Sequence, residues 1–326
     1  MLAVSRVLAP EKLLAAADDS TVPKGFPFPA YFPFDNISAQ IAAPERFVHT
    51  TTVGGFGGFG GFDGEFPTRL RRGRRRSAQL TIPRSEKDRP VMDRIDLDTT
   101  LQYGRATGLP ALPDFLREFT FSYMLQGALG YDDAEADILL TCGNTDGFSK
   151  VVGALGSRGD TMLVEEFCYT PAVAMAAPFG IGTQPVRMDE GGMAVDGPGG
   201  LRDVLENWDA ATQGRRPHFM YTVTVGQNPT GITLGRQRRR EIYDLCEEFD
   251  VVIIEDDPYW HIQFTQASHE LPHASSGVKY PFLAALEKSY LTIDTSGRVI
   301  RLDTFSKTIG ISIHAVLTLL TATTTS

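Results

Sequence analysis

The chain has 326 residues, 42% hydrophobic and 22% charged, an ordinary balance for a soluble globular protein and enough chain for one large domain with appendages. A formal net charge of −9 argues against a surface built for nucleic acid or anionic lipid, and no apolar run is long enough to span a bilayer. Cys142, Cys168 and Cys246 show neither paired nor metal-ligand spacing, so a reducing, cytoplasmic setting is the natural reading, with all three as small core residues.

In chain order, the first 96 residues read as irregular. The opening stretch is cut by Pro10 and turns acidic at Asp18 and Asp19, which makes a poor secretory signal and a poor transit peptide. Residues 23–34 (PKGFPFPAYFPF) hold too many breakers for regular structure, and residues 54–64 (GGFGGFGGFDG) are flexible by composition. The basic run RLRRGRRR at 69–76 has no aromatic platform or helix-turn-helix pattern beside it, so a solvated loop is favoured over a nucleic-acid patch.

From about residue 137 the pattern becomes regular. ADILLTC (136–142), TMLVEE (161–166), TQPVRM (183–188), HFMYTVTV (218–225), VVIIEDD (251–257) and VIRLDTF (299–305) read as buried strands. Helical patterns separate most of them; in 236–249, Ile242, Leu245, Cys246 and Phe249 fall on one helix face. Such alternation predicts an α/β fold, a mostly parallel sheet flanked by helices. Ligands of such sheets bind beyond the carboxyl ends of the strands, so the residues following each run are where chemistry belongs.

Four strand ends carry unusual groups. Gly143, Asn144, Thr145 and Gly147 open a helix whose first N–H groups can meet a phosphate, although this motif alone reads more simply as a turn. Gln227-Asn228-Pro229-Thr230-Gly231 is either a tight loop or an amide aimed at a ligand. Glu255, Asp256 and Asp257 end a buried strand, and a buried carboxylate is costly unless something cationic meets it. A metal is disfavoured, because His269 and His273 lie in a loop without ligand spacing. Thr304-Phe305-Ser306-Lys307 ends the last strand, where the lysine is either a surface residue or an amine nucleophile.

The words LQYGRATGLP (101–110), GNTDGFSKV (143–151), VEEFCYTPA (164–172), YTVTVGQNPTG (221–231), EIYDLCEEFDVVIIEDDPYW (241–260) and GRVIRLDTFSKTI (297–309) carry a further meaning together. In this order they resemble the fold-type I aminotransferases that use pyridoxal 5′-phosphate (PLP), in particular fungal-type aromatic amino-acid aminotransferases related to 2-aminoadipate and kynurenine aminotransferases. The resemblance implies transamination between an amino acid and a 2-oxo acid such as 2-oxoglutarate, in a homodimer. It implies that Lys307 bonds the cofactor aldehyde and shuttles a proton, and that Asp256 pairs with the pyridinium nitrogen. Asn228 and Tyr259 would bond the phenolic oxygen, and Tyr169 would stack on the ring. Asn144, Thr145 and Thr304 would hold the phosphate, and Tyr103 would reach the site of the other subunit. Asp257, on the opposite strand face from Asp256, is expected to matter less.

The resemblance divides the chain into an N-terminal arm (1–96), a PLP-binding large domain (97–309) and a tail outside the family pattern (310–326). Where the family has a phosphate-clamping arginine, the sequence has His314, and the family's C-terminal small domain has no counterpart. A chain of this form is expected to hold cofactor weakly, and its tail reads as translated intron that supports neither an amphipathic helix nor a covered strand. Two alternatives accompany the transaminase reading: a defective fragment, and a β-elimination lyase on the same scaffold. A transcription regulator would need an N-terminal winged helix, which residues 1–96 do not show.

Overall fold

The computed structural model describes residues 32–41, 79–90, 93–103, 108–109, 111–125, 136–263, 283, 285–309 and 316–321. Most of the 23–34 stretch, the Gly-rich 54–64, the basic run 69–76, His269, His273 and His314 lie outside the described residues. The chain divides into two compact units, Met1–Arg105 and Ala106–Ser326.

In the first unit, β1 (Asn36–Gln40) and β2 (Gln79–Pro83) pair antiparallel. This corrects the irregular reading of that stretch. Ile37 and Ala39 alternate with polar residues, as do Leu80 and Ile82, but each alternation is too short to stand out in sequence. Helix α1 (Leu97–Thr100) starts at Asp96, whose Oδ1 accepts from Thr99 N–H and whose Oδ2 accepts from Glu86 N–H.

The second unit begins with α2 (Ala111–Glu118), which continues into a π-helical turn over Phe119–Met124. A sheet follows, built from β3 (Ala136–Thr141), β4 (Thr161–Glu165) and β5 (Gly182–Val186) before a two-residue hairpin of β6 (Met188–Asp189) and β7 (Gly192–Met193). The sheet is completed by β8 (Phe219–Thr222), β9 (Val252–Asp256), β10 (Val299–Thr304) and β11 (Val316–Thr321). Its order is β3-β11-β10-β9-β8-β4-β5. All its strands run parallel except β11, which is antiparallel to both neighbours. Each run read as a buried strand falls on one of these strands, and the α/β fold stands.

Between the strands lie α3 (Gly143–Leu155), α4 (Thr170–Ala176), α5 (Leu201–Glu206), α6 (Ala210–Gln213) and α7 (Arg236–Glu248). Alternation along each strand sorts the core into two layers. Leu163, Met220, Ile253 and Val299 face one layer, where α7 packs Ile242, Tyr243, Leu245 and Cys246. Met162, Val164, Phe219, Tyr221, Ile254 and Leu302 face the other, where α3 supplies Phe148, Val151 and Val152 and α4 supplies Ala172 and Ala176. Burying each large aliphatic side chain stabilises the sheet by about 1.5–3 kcal/mol.

The position of β11 corrects the reading of the tail. Residues 316–321 form a ladder on both sides, with Val316 opposite Thr141 on one edge and Thr304 on the other. Uncharged VLTLLT lacks a helical period, yet a short run of apolar and β-branched residues is what a fully paired strand takes.

Candidate active site

A pocket of about 280 Å³ opens beyond the carboxyl ends of the parallel strands. It is lined by Gly143, Asn144 and Thr145 after β3, Tyr169 after β4, Tyr221, Val223 and Asn228 from β8 and its loop, Asp256 and Tyr259 from β9, and Thr304, Ser306 and Lys307 from β10. The structure therefore brings together every site residue named from sequence except Tyr103. That residue belongs to the first unit, where it is 66% exposed.

Asp256 closes β9 with its side chain on the α3 layer, and it is 7% exposed. Its Oδ2 accepts from the Tyr221 hydroxyl at 2.7 Å, and its Oδ1 accepts from the Asn144 amide, which also donates to the Leu302 carbonyl at 3.2 Å. Burial raises its pKa, while these two neutral donors pull the other way. Such a carboxylate facing a pocket invites a cation held within hydrogen-bond reach. The buried Asn144 Oδ1 has no hydrogen-bond partner among the described residues, which leaves an acceptor at the same place.

The same pocket also carries groups that suit an anion. Gly143 begins α3 with φ of +85°, a conformation glycine adopts without strain, and the first N–H groups of this 13-residue helix have no intrahelical acceptor. In the same lining, Thr304 and Ser306 share a hydroxyl–hydroxyl contact of 2.8 Å. Helix dipole, free N–H groups and two hydroxyls match a phosphate. Lys307 is exposed on the pocket rim, with its Nζ over the Tyr259 ring at 6.0 Å. An amine, a buried carboxylate and an anion cradle around one cavity fit PLP.

Asp257 points to the other layer. Its Oδ2 accepts from Arg301 Nη1 at 2.9 Å, and Arg301 also meets Glu255 at 3.1 Å and Asp303 at 2.7 Å, while Arg239 meets Glu255 at 2.9 Å. Two guanidiniums thus face three carboxylates. Arg301 and Arg239 hold Glu255 low, whereas burial and the Glu255 charge push Asp257 up to about 7. A carboxyl raised this way holds its proton longer in the folded state than in the unfolded one. Its stabilising contribution is full below about pH 4 and is lost as pH rises through 7. Asp257→Asn should therefore lose stability less steeply between pH 4 and 7 than the wild type, by up to about one proton in slope. Urea unfolding midpoints at several pH values check this.

Sequence reasoning missed Tyr221, Ser306 and Phe148. Tyr221 was legible in principle, since it shares strand parity with Phe219 and Val223 and faces the layer that bears Asp256. Phe148 meets Tyr221 edge-on at 4.9 Å and so steadies the hydroxyl's aim. Among the described residues, no cluster of three or more His, Cys, Asp or Glu could hold a metal ion, and no helix is long and apolar enough to cross a membrane.

No family model matches the chain. It is 32% identical over 315 residues to an aromatic amino acid aminotransferase of Schizosaccharomyces pombe, an alignment covering 94% of this chain and 60% of that protein. It is 36% identical over 216 residues to an L-tyrosine:2-oxoglutarate aminotransferase of Serpula lacrymans, covering 66% and 40%. The fold matches the crystal structure of aminotransferase Aro8 from Candida albicans with a TM-score of 0.71 at 28% identity, over 98% of this chain and 62% of that one. The chain thus spans about 60% of the length of the Schizosaccharomyces pombe relative.

Proposed function

We infer that this chain, a member of the fold-type I PLP-dependent aminotransferases with relatives named for aromatic amino acids and tyrosine, holds PLP in the pocket above its sheet and serves transamination of an aromatic amino acid with a 2-oxo acid such as 2-oxoglutarate. The observation that carries the reading is the convergence of Lys307, Asp256, Tyr259, Asn228, Tyr169 and the α3 N-terminus on one cavity. PLP, when bound, supplies an aldehyde that engages amines and a ring that takes up electrons.

The chain's own residues do the rest. Lys307 would offer the amine that engages the aldehyde and would carry on Nζ the proton taken from the substrate carbon. Asp256 holds a proton on the ring nitrogen, and the Tyr221 and Asn144 donors fix the carboxylate plane. Asn228 and Tyr259 bond the phenolic oxygen, and Tyr169 packs the ring face. Gly143–Thr145, Thr304 and Ser306 bind the phosphate. The homodimer, the role of Tyr103 in it and a cytoplasmic location belong to the same proposal.

The test is a half-reaction. The purified chain, loaded with PLP, is mixed with L-tyrosine, L-phenylalanine or L-2-aminoadipate, and the absorbance change that marks transfer of the amino group is followed. Release of the matching 2-oxo acid, with the absorbance change reversed and glutamate formed when 2-oxoglutarate is added, is the expected result. Amino-acid consumption with loss of ammonia and no requirement for a 2-oxo acid would point to elimination instead.

A further inference from the structure

Gln227 and Glu165 stand outside the roles assigned above, yet both are buried beside the pocket, 2% exposed each. Gln227 uses its whole hydrogen-bonding capacity. Its Nε2 donates to Glu165 Oε2 at 2.9 Å and to the Phe167 carbonyl. Its Oε1 accepts from the Thr230 N–H at 2.9 Å and the Thr230 hydroxyl at 2.7 Å. Glu165 in turn accepts from the Thr222 hydroxyl at 2.9 Å, so its carboxylate spans from the end of β4 to β8.

The placement gives these contacts their meaning. Phe167 lies two residues before Tyr169, and Gln227 directly precedes Asn228, so one amide joins the loops that bear two of the groups lining the pocket. We propose that Gln227 and Glu165 are positioning residues: their hydrogen-bonded pair ties the Tyr169 loop to the Asn228 loop and sets the gap into which a flat aromatic cofactor fits. The proposal rests on the PLP reading for the identity of that cofactor. Burial also pushes Glu165 up to about 7, so the carboxylate depends on these donors to stay ionised.

The test uses the full chain and two readouts. Gln227→Glu keeps the side-chain shape and the acceptors for Thr230 but removes both N–H donors. It is expected to weaken PLP binding, read by absorbance titration at pH 8, at least tenfold. Amide hydrogen exchange in the cofactor-free variant should speed up in both loops. The exchanged pair Glu165→Gln/Gln227→Glu restores the bond between these two side chains but not the one to the Phe167 carbonyl, so it should recover part of the lost affinity. Wild-type affinity and exchange in Gln227→Glu, or a folded variant that the exchanged pair does not rescue, would overturn the proposal. Should Gln227→Glu not fold, Glu165→Leu serves instead: the same tenfold loss is required, and unchanged affinity defeats the pairing. A wild-type chain that binds no PLP refutes the cofactor reading, while the exchange data on the cofactor-free chain still decide whether the pair couples the loops.

Discussion

Lys307→Ala is expected to abolish the covalent attachment of PLP and to lower transamination by about 10²–10⁴-fold, the usual worth of a positioned proton carrier. In the wild type, borohydride treatment after loading should fix a pyridoxyl group that peptide mapping finds on Lys307. The geometry behind this is the lysine's place at the end of β10, on the rim of the cavity, with Nζ held over the Tyr259 ring and its amine open to the pocket. Lys150 and Lys288 are not among the residues that line the cavity. A pyridoxyl group mapped to either of them, with Lys307→Ala still labelled, would refute the assignment.

The second large effect concerns two adjacent carboxylates. Asp256→Ala removes the only carboxylate among the described residues that line the cavity, and losing a charge-assisted hydrogen bond of about 1.5–3 kcal/mol slows the half-reaction roughly tenfold to a hundredfold or more. Asp257→Ala should keep most of the rate, because that side chain meets Arg301 in the opposite layer, and Arg301 retains Glu255 and Asp303. Single-turnover spectra of both variants at pH 8 distinguish the two. The reverse ranking would show that the pyridinium partner has been misplaced.

Much of this was legible in the sequence because strand parity is. The one-residue offset between Asp256 and Asp257 places one in each core layer, and the runs that end at Thr141, Glu165 and Thr304 mark the carboxyl edge of the sheet. What escaped were contacts between residues far apart in sequence. The aim of Tyr221 at Asp256 depends on the register of β8 against β9, which pairs Tyr221 with Ile254. The Gln227 clamp depends on where the loop after β4 lies in space. The strand at 316–321 was hidden for a different reason: its short uncharged run shows neither a helical nor an alternating period, and its pairing partners lie far away in sequence.

That strand has a bearing on how the molecule comes to exist. In the sheet, β3 pairs with β11 alone, and β11 alone bridges it to β10. The hydrogen-bonded ladder that carries Gly143–Thr145 to the rest of the sheet thus closes by contacts of very long sequence separation, Thr141 with Val316. Such closure is slow, since a large loop must be ordered before any ladder energy is gained. A chain emerging from the ribosome can assemble β4, β5, β8, β9 and β10 by successive crossovers, but the ladder of β3, which leads into α3, forms only once β11 has been made. Until then β3 and β10 present open edges, a feature that makes partly folded chains prone to aggregate.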